Sequence, residues 1–443
     1  MSGHPSIDNI PVVSPSDLFL EDPLDATGFV MNLVERYGDI FQYRTSQGLT
    51  YLVTRPDLVH RIFQQHHFRR YTPLRMALGN GLLSSTGPYW ASQRRLMQPR
   101  FKKHRVVEFA PLVTDLTKTM LEVWNTLAAR ADPLDVASEM RRLTLMIIAK
   151  ALFNGAVAND VIRIGEGLTA IVEDLGELDS IAFNYPLMIS PSRNRQFRHA
   201  IQGIDDIAYR LIRNRRETAE KPDDPLTLLL SARDPATNQP LDDRQIRDEI
   251  VTMLLAGHET TANALTWTWH LLAEHRHVEQ RFHDELRRTL CAQVPSAQNI
   301  PELEYTKMIF QESMRLYPPV WIQSRMTLQD VEIGDYSFPA GTVVLLCPYA
   351  VHRHPASWRN PELFDPDRFH PDRRTTRPRH AYFPFGIGHY CIGEPLALLE
   401  GTLVLAMVGQ NFRIRPLPTH PVEIQTAVTL RQRNGLPAML EPQ

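Results

Sequence analysis

The chain has 443 residues, 43% hydrophobic and 22% charged, with a formal net charge of −2. This ordinary globular composition excludes a disordered or fibrous chain, and the near-neutral balance excludes a general pull towards nucleic acid or anionic membrane. Three scattered cysteines, Cys291, Cys347 and Cys391, with no CxxC pair, exclude a disulfide framework and a zinc site and point to a reducing cytoplasm.

Residues 1–15 are polar and punctuated by proline, with no basic n-region and no apolar h-region. A flexible segment is expected there, not a signal peptide or a membrane anchor. No Gly/Ser-rich linker, repeat or low-complexity tract follows, so 16–443 is expected to form one large domain. Runs 39–43 and 49–54 read as β-strands beside Gly and Asp turns, and 56–65 and 89–98 as helices. From 106 to 230 apolar residues recur at spacings of three and four, as in Leu112-Leu116-Met120-Leu121. Asp223-Asp224-Pro225 breaks that pattern. A long helix is predicted from Asp242-Asp243 to Glu274, roughly 45–50 Å at about 1.5 Å per residue. His258, Glu259 and His270 inside its apolar stretch argue for a buried helix and against a membrane span. Further helices run to Leu316 and stop at Pro318-Pro319. Short strands are expected over 331–344, then a cysteine-bearing loop, a helix from Pro395 to about Val408, and strands near 424–430. The fold class is mainly α with a small β portion.

Four local clusters carry chemistry. Cys391 sits in Phe383-Pro384-Phe385-Gly386-Ile387-Gly388-His389-Tyr390-Cys391-Ile392-Gly393, just before an apolar helix. The glycines let the backbone turn tightly and approach a flat ligand. A thiolate at a helix N-terminus is stabilised by backbone N–H groups and the dipole, and so held it can be the axial ligand of haem iron. In the long helix, Ala256-Gly257-His258-Glu259-Thr260-Thr261 places polar groups in an apolar run. Gly257 leaves room for something bulky, Thr260 can bond back to a carbonyl and open the helix locally, and Glu259 adds a proton-exchanging group. Glu312 and Arg315 share a helical face at i, i+3, with Arg368 as a third member. Trp90 and Arg94, donors only and one turn apart, suit a carboxylate such as a haem propionate. Each cluster alone is weak, and ExxR by itself is usually a surface pair.

Their order is the stronger signal. WxxxR at Trp90–Arg94, AGxxTT at Ala256–Thr261, ExxR at Glu312–Arg315, FxPxRF at Phe364–Phe369 and the cysteine loop follow one another as in the cytochrome P450 family, which this chain resembles from about Gly38 to its C-terminus. The resemblance implies the cytochrome P450 fold, a single large domain with a long central helix over haem b (iron protoporphyrin IX). It implies Cys391 as iron ligand, with Trp90, Arg94, Arg325 and His389 on the propionates. Glu259 and Thr260 would deliver protons to dioxygen, and Glu312, Arg315 and Arg368 would hold the cysteine loop. Substrate would meet Ala256, Val320, Trp321, Val428 and the loop 75–85. One departure is visible: Phe385 to Cys391 is one residue shorter than the family's usual Phe-x-x-Gly-x-Arg/His-x-Cys.

The implied function is a haem-thiolate monooxygenase that inserts one oxygen atom from dioxygen into an apolar small molecule, lipid, terpenoid or steroid-like. Electrons would come from a ferredoxin or flavodoxin with its NAD(P)H reductase. The basic run Arg94-Arg95, Arg100, Lys102-Lys103, Arg105, with no acid within it, would receive that acidic partner. A cytoplasmic monomer with no membrane anchor and no nucleic-acid partner is expected. A haem-thiolate peroxygenase or isomerase, and a non-catalytic haem sensor or carrier, are the alternatives; the Glu259–Thr260 pair argues against both.

Overall fold

The computed structural model describes residues 10–18, 25–45, 48–70, 74–154, 160–179, 191–219, 221–234, 238–374, 378, 380–388 and 390–443. His389, expected on a propionate, lies outside them.

The helix Asp243–Glu274 organises the chain. Asp242 and Gln245 cap it reciprocally. The Gln245 N–H donates to Asp242 Oδ1 at 2.7 Å and the Asp242 N–H donates to Gln245 Oε1 at 2.9 Å. The helix runs unbroken through Ala256–Thr261, so the opening expected at Thr260 is not formed. Thr260 Oγ1 donates to the Ala256 carbonyl at 2.8 Å, a contact the carbonyl's second lone pair accommodates without breaking the ladder. The expectation for Gly257 also changes. A Cβ there would meet Ile148 Cγ1 of the helix Val136–Phe153 at 2.7 Å, so glycine serves close helix–helix packing.

The cysteine loop leads into Glu394–Asn411, an apolar helix whose interior is buried almost all round against Ala110–Arg130, Arg276–Leu290 and Glu304–Leu316. Its uniform apolarity, without a polar stripe, is what a helix enclosed on all sides requires. One large apolar core spans these helices, and two smaller clusters lie at the main sheet.

That sheet has five strands in the order Ile40–Thr45, Gly48–Val53, Val343–Leu346, Gln323–Thr327, Phe68–Arg70. The second and third strands run parallel and the other pairs antiparallel. The register of the last pair sets Arg70 opposite Arg325. Part of the 1–15 segment is held against the first strand: the Val13 N–H donates to Gln42 O at 2.9 Å, and Ile10 and Val13 are buried. Near the C-terminus the hairpin Ile424–Thr426 and Leu430–Gln432 presents Val428 and Thr429 inward. Strand Pro437–Pro442 pairs with Phe412–Pro416 on one side and with Leu134–Asp135 on the other. Among the described residues no helix is long and apolar enough to cross a membrane.

Candidate active site

A cavity of about 570 Å³ is bordered by the long helix on one side and the cysteine loop on another. Ala256, Glu259 and Thr260 face it from the helix, and Phe385, Tyr390 and Cys391 from the loop. Val320, Trp321 and Arg325 line it from the segment after Pro319, and Val428 and Thr429 from the hairpin. The four residues expected at substrate, Ala256, Val320, Trp321 and Val428, therefore share one wall system, together with Leu82 and Leu83 of the loop 75–85.

Cys391 is the one cysteine of the chain on this wall. The turn before it is built on Gly386 at φ +78° and Gly388 at φ +75°, and the Cys391 N–H closes it on Phe385 O at 3.0 Å. Arg94 Nη1 donates to the Tyr390 carbonyl at 2.7 Å, tying its helix to the residue before the cysteine. The Gly393 and Glu394 N–H groups at the start of the helix favour a thiolate, as its position implies, against the opposing effect of burial. Burial pushes the Cys391 thiol up and the Glu394 carboxylate adds to this; the Gly393 and Glu394 N–H groups and Arg94 pull the other way but do not prevail. The helix begins only at Glu394, so its N-terminal donors give less than burial removes. A thiolate here wants a cation to bind.

Three arginines converge on the same cavity: Arg94, Arg325 and Arg70. Arg70 is the member that sequence reasoning missed. No motif contains it, and only the strand register brings it opposite Arg325. Burial and the charges of Arg325 and Arg94 push its guanidinium down to about 9, and burial lowers Arg325 to about 10. Both cations stack on the Tyr390 ring, at 4.2 and 5.1 Å from its centroid. Among the described residues neither Arg70 nor Arg325 has a carboxylate partner. Trp90 Nε1 is likewise buried with no hydrogen-bond acceptor among them. Clustered cations with an orphan N–H call for a multiply charged anion.

Across the cavity, Glu259 is buried, and its Oε1 accepts from Asn263 Nδ2 at 3.2 Å and from Thr429 Oγ1 at 3.1 Å. Burial pushes this carboxyl up, but His258, Arg431, Arg141 and the Asn263 bond outweigh it and hold it below the usual range. Thr429 and Glu259 both line the cavity, so the hydroxyl bonded to the acid is itself open to it. A separation of 170 residues hides this pairing from any local pattern. Glu400, on the helix after the cysteine, is a second residue whose place at the site was missed: it lines the cavity, and burial pushes its carboxyl well up.

Glu312 and Arg315 are fully buried and bonded twice, Nε to Oε2 at 2.7 Å and Nη2 to Oε1 at 2.8 Å. Arg368 Nε and the Asp365 N–H also donate to Glu312 Oε1. Arg315 further donates to the carbonyls of His352, Pro361 and Leu363. His352 Nε2 in turn accepts from the Phe383 N–H at 3.0 Å, which joins this network to the start of the cysteine loop. On the surface, the basic run is partly neutralised from outside itself: Arg100 pairs with Asp223 and Arg105 with Glu108. Lys102 and Lys103 remain exposed.

Fold and site define a mainly helical protein with a cysteine on one wall of an apolar cavity and arginines gathered on another. The cytochrome P450 family model matches residues 20–437. Cyclooctat-9-en-7-ol 5-monooxygenase of Streptomyces melanosporofaciens is 34% identical over 86% of this chain and 84% of its own. Pentalenene oxygenase of Streptomyces avermitilis is 29% identical over 94% of this chain and 93% of its own. The crystal structure of the cytochrome P450DA haem domain superposes with a TM-score of 0.86 at 26% identity, covering 98% of each chain. The chain belongs to the cytochrome P450 family. It is an oxidoreductase, a monooxygenase with haem b as cofactor, using dioxygen and electrons from redox partners. The orphan Trp90 N–H, the arginines and the cavity-facing cysteine fit such a group.

Proposed function

We propose that this chain hydroxylates a terpenoid or similarly apolar small molecule, with Cys391 as the iron ligand and a ferredoxin or flavodoxin as electron donor to a cytoplasmic monomer. The supporting observation is the separation of charge in the cavity. Its cations gather at Arg70, Arg94 and Arg325, whereas Val320, Trp321, Val428, Leu82 and Leu83 line the remainder. Such a wall takes hydrocarbon and offers no cation to a substrate carboxylate once the arginines are engaged. The relatives named for cyclooctat-9-en-7-ol and pentalenene support the terpenoid class.

In this reading Arg70, Arg94, Arg325 and Trp90 bind the two propionates, and Glu312, Arg315 and Arg368 hold the loop that carries Cys391. Thiolate-ligated haem supplies activation of dioxygen for insertion of one oxygen atom into a C–H bond. Thr260 donates to the Ala256 carbonyl and keeps its lone pairs for a donor in the cavity. Glu259, ionised beside it, takes and returns a proton through the Thr429 hydroxyl. Exposed Lys102 and Lys103 give the acidic electron donor a landing charge.

The test is an absorption titration of the holoprotein with terpenes, fatty acids and steroids. A spin-state shift with terpenes is expected; a shift confined to fatty acids would reassign the class. Thr260→Ala is expected to lower product formation on the order of 10²-fold while NAD(P)H oxidation continues, the scale of one positioned proton-transfer group. Unchanged coupling of product to NAD(P)H in that variant would remove Thr260 from proton handling, whereas product formed from hydrogen peroxide without a reductase or NAD(P)H would favour the peroxygenase alternative.

A further inference from the structure

Three consecutive residues of the long helix grip one short segment at the cavity's edge. Arg247 Nη2 donates to Ala77 O at 3.0 Å, the Asn80 N–H donates to Asp248 Oδ2 at 2.7 Å, and the Leu82 N–H donates to Glu249 Oε2 at 3.1 Å. From the other side Arg70 Nη1 donates to the carbonyls of Leu82 and Leu83. The N–H of Leu82 and its carbonyl are therefore both held by side chains that can carry charge. The fit is close. Gly79 has φ +62°, and a Cβ on it would fall 2.2 Å from Asp248 Oδ2; a Cβ on Gly81 would fall 2.1 Å from Thr252 Oγ1. Leu82 and Leu83 line the cavity, whereas Arg247, Asp248 and Glu249 do not.

We propose that Glu249 is a positioning residue for the reaction: through the Leu82 N–H it holds the segment 77–83 closed over the cavity and so governs the entry of an apolar substrate. This rests on the reading of that cavity as the substrate site.

The surroundings of Glu249 give the clamp a pH range. The side chain is fully buried and its Oε1 has no partner among the described residues. Burial pushes its carboxyl up to about 8; the Leu82 N–H opposes this and Asp248 adds to it. Asp248 faces it from its own helix. Tyr89, from the helix Gly87–Met97, faces it as a phenol pushed up to about 12 by burial, Glu249 and Asp248. Arg247 is engaged by Asp205 and Asp248, and Arg70 lies beyond the Leu82 peptide. Among the described residues no cation pairs with Glu249. A neutral acid fits this site. Ionisation would place a second negative charge beside Asp248 with one N–H to stabilise it. Because the closed value lies above the ordinary carboxylate value of 4.5, the clamp's contribution is complete below that value, weakens steadily as pH rises from it, and is exhausted once pH passes about 8.

Hydrogen–deuterium exchange of the holoprotein without added ligand tests this. After correction for intrinsic rates, amides of 77–83 should lose protection by up to about tenfold per pH unit between about pH 5 and 8 and level off above that, while the long helix keeps its own. Glu249→Gln, which preserves the shape of the neutral acid, should hold protection across that range. Association of 4-phenylimidazole, followed by haem absorption and corrected for the ligand's own titration, should quicken across the same range in the wild type and stay flat in the variant. Protection of 77–83 that ignores pH in the wild type, or the same loss in Glu249→Gln, would overturn the proposal. If the variant does not fold, the wild-type series alone decides. Failure of the substrate reading would look different: exchange would follow pH as stated while terpenes gave no spin-state shift.

Discussion

Cys391→Ser is expected to abolish the absorption signature of thiolate-ligated haem and to lower monooxygenase turnover by more than about 10²-fold, beyond the 10–100-fold that outer partners of a metal typically carry. Neither of the other cysteines can substitute. Cys291 is exposed at the end of Arg276–Leu290. Cys347 is buried, donates to the Trp321 carbonyl at 3.3 Å, and is pushed up to about 12 by burial, so it is an inert thiol. Cys347→Ala and Cys291→Ala should therefore leave the signature intact. A Cys391→Ser protein that keeps the thiolate spectrum would refute the assignment of the ligand. The missing residue in the loop sharpens this test. The turn still closes, through Gly386, Gly388 and the Cys391-to-Phe385 hydrogen bond, so the deletion leaves the sulfur facing the cavity.

Arg315→Ala should cost about 3–5 kcal/mol of folding stability, because it leaves the Glu312 carboxylate buried and unpaired on that side. Against a total of roughly 5–15 kcal/mol for a folded domain, such a loss gives little soluble holoprotein. Burial already pushes the Glu312 carboxyl up; Arg315, the Asp365 N–H and Arg368 restrain that shift, and removing the first of them leaves the penalty exposed. Arg315→Lys keeps the charge but not the fork. One ammonium cannot serve two carboxylate oxygens and the carbonyls of His352, Pro361 and Leu363, so it too should be destabilised. Denaturant unfolding of the purified variants measures both. A loss below about 1 kcal/mol in Arg315→Ala would place the pair among ordinary surface bridges and refute its folding role. The effect should reach haem retention as well, because His352 couples this network to the Phe383 N–H at the head of the cysteine loop.

Much of the molecule was legible along the chain. The capped long helix from Asp242 to Glu274, the helix after Cys391, the mainly helical class and the ordered motifs all follow from local rules. Those rules are apolar spacing, capping residues, proline stops and glycine turns, which act over a few residues and need no partner. The same locality explains what was misjudged. Gly257 read as space for a ligand, but Ile148 of another helix fills it. The N–H groups at the helix end favour a thiolate at Cys391, but burial, which no local pattern shows, opposes it. Arg70 belongs to no motif and meets Arg325 only through strand pairing. Thr429 meets Glu259, and Glu249 meets Leu82, across 170 and 167 residues. Sequence by itself determined which residues could carry charge, turn a backbone or start a helix. Tertiary structure decided which of them are desolvated together, because burial and long-range contact exist only once the chain has closed on itself, and those two terms set both the charge state and the partner of every polar group at this site.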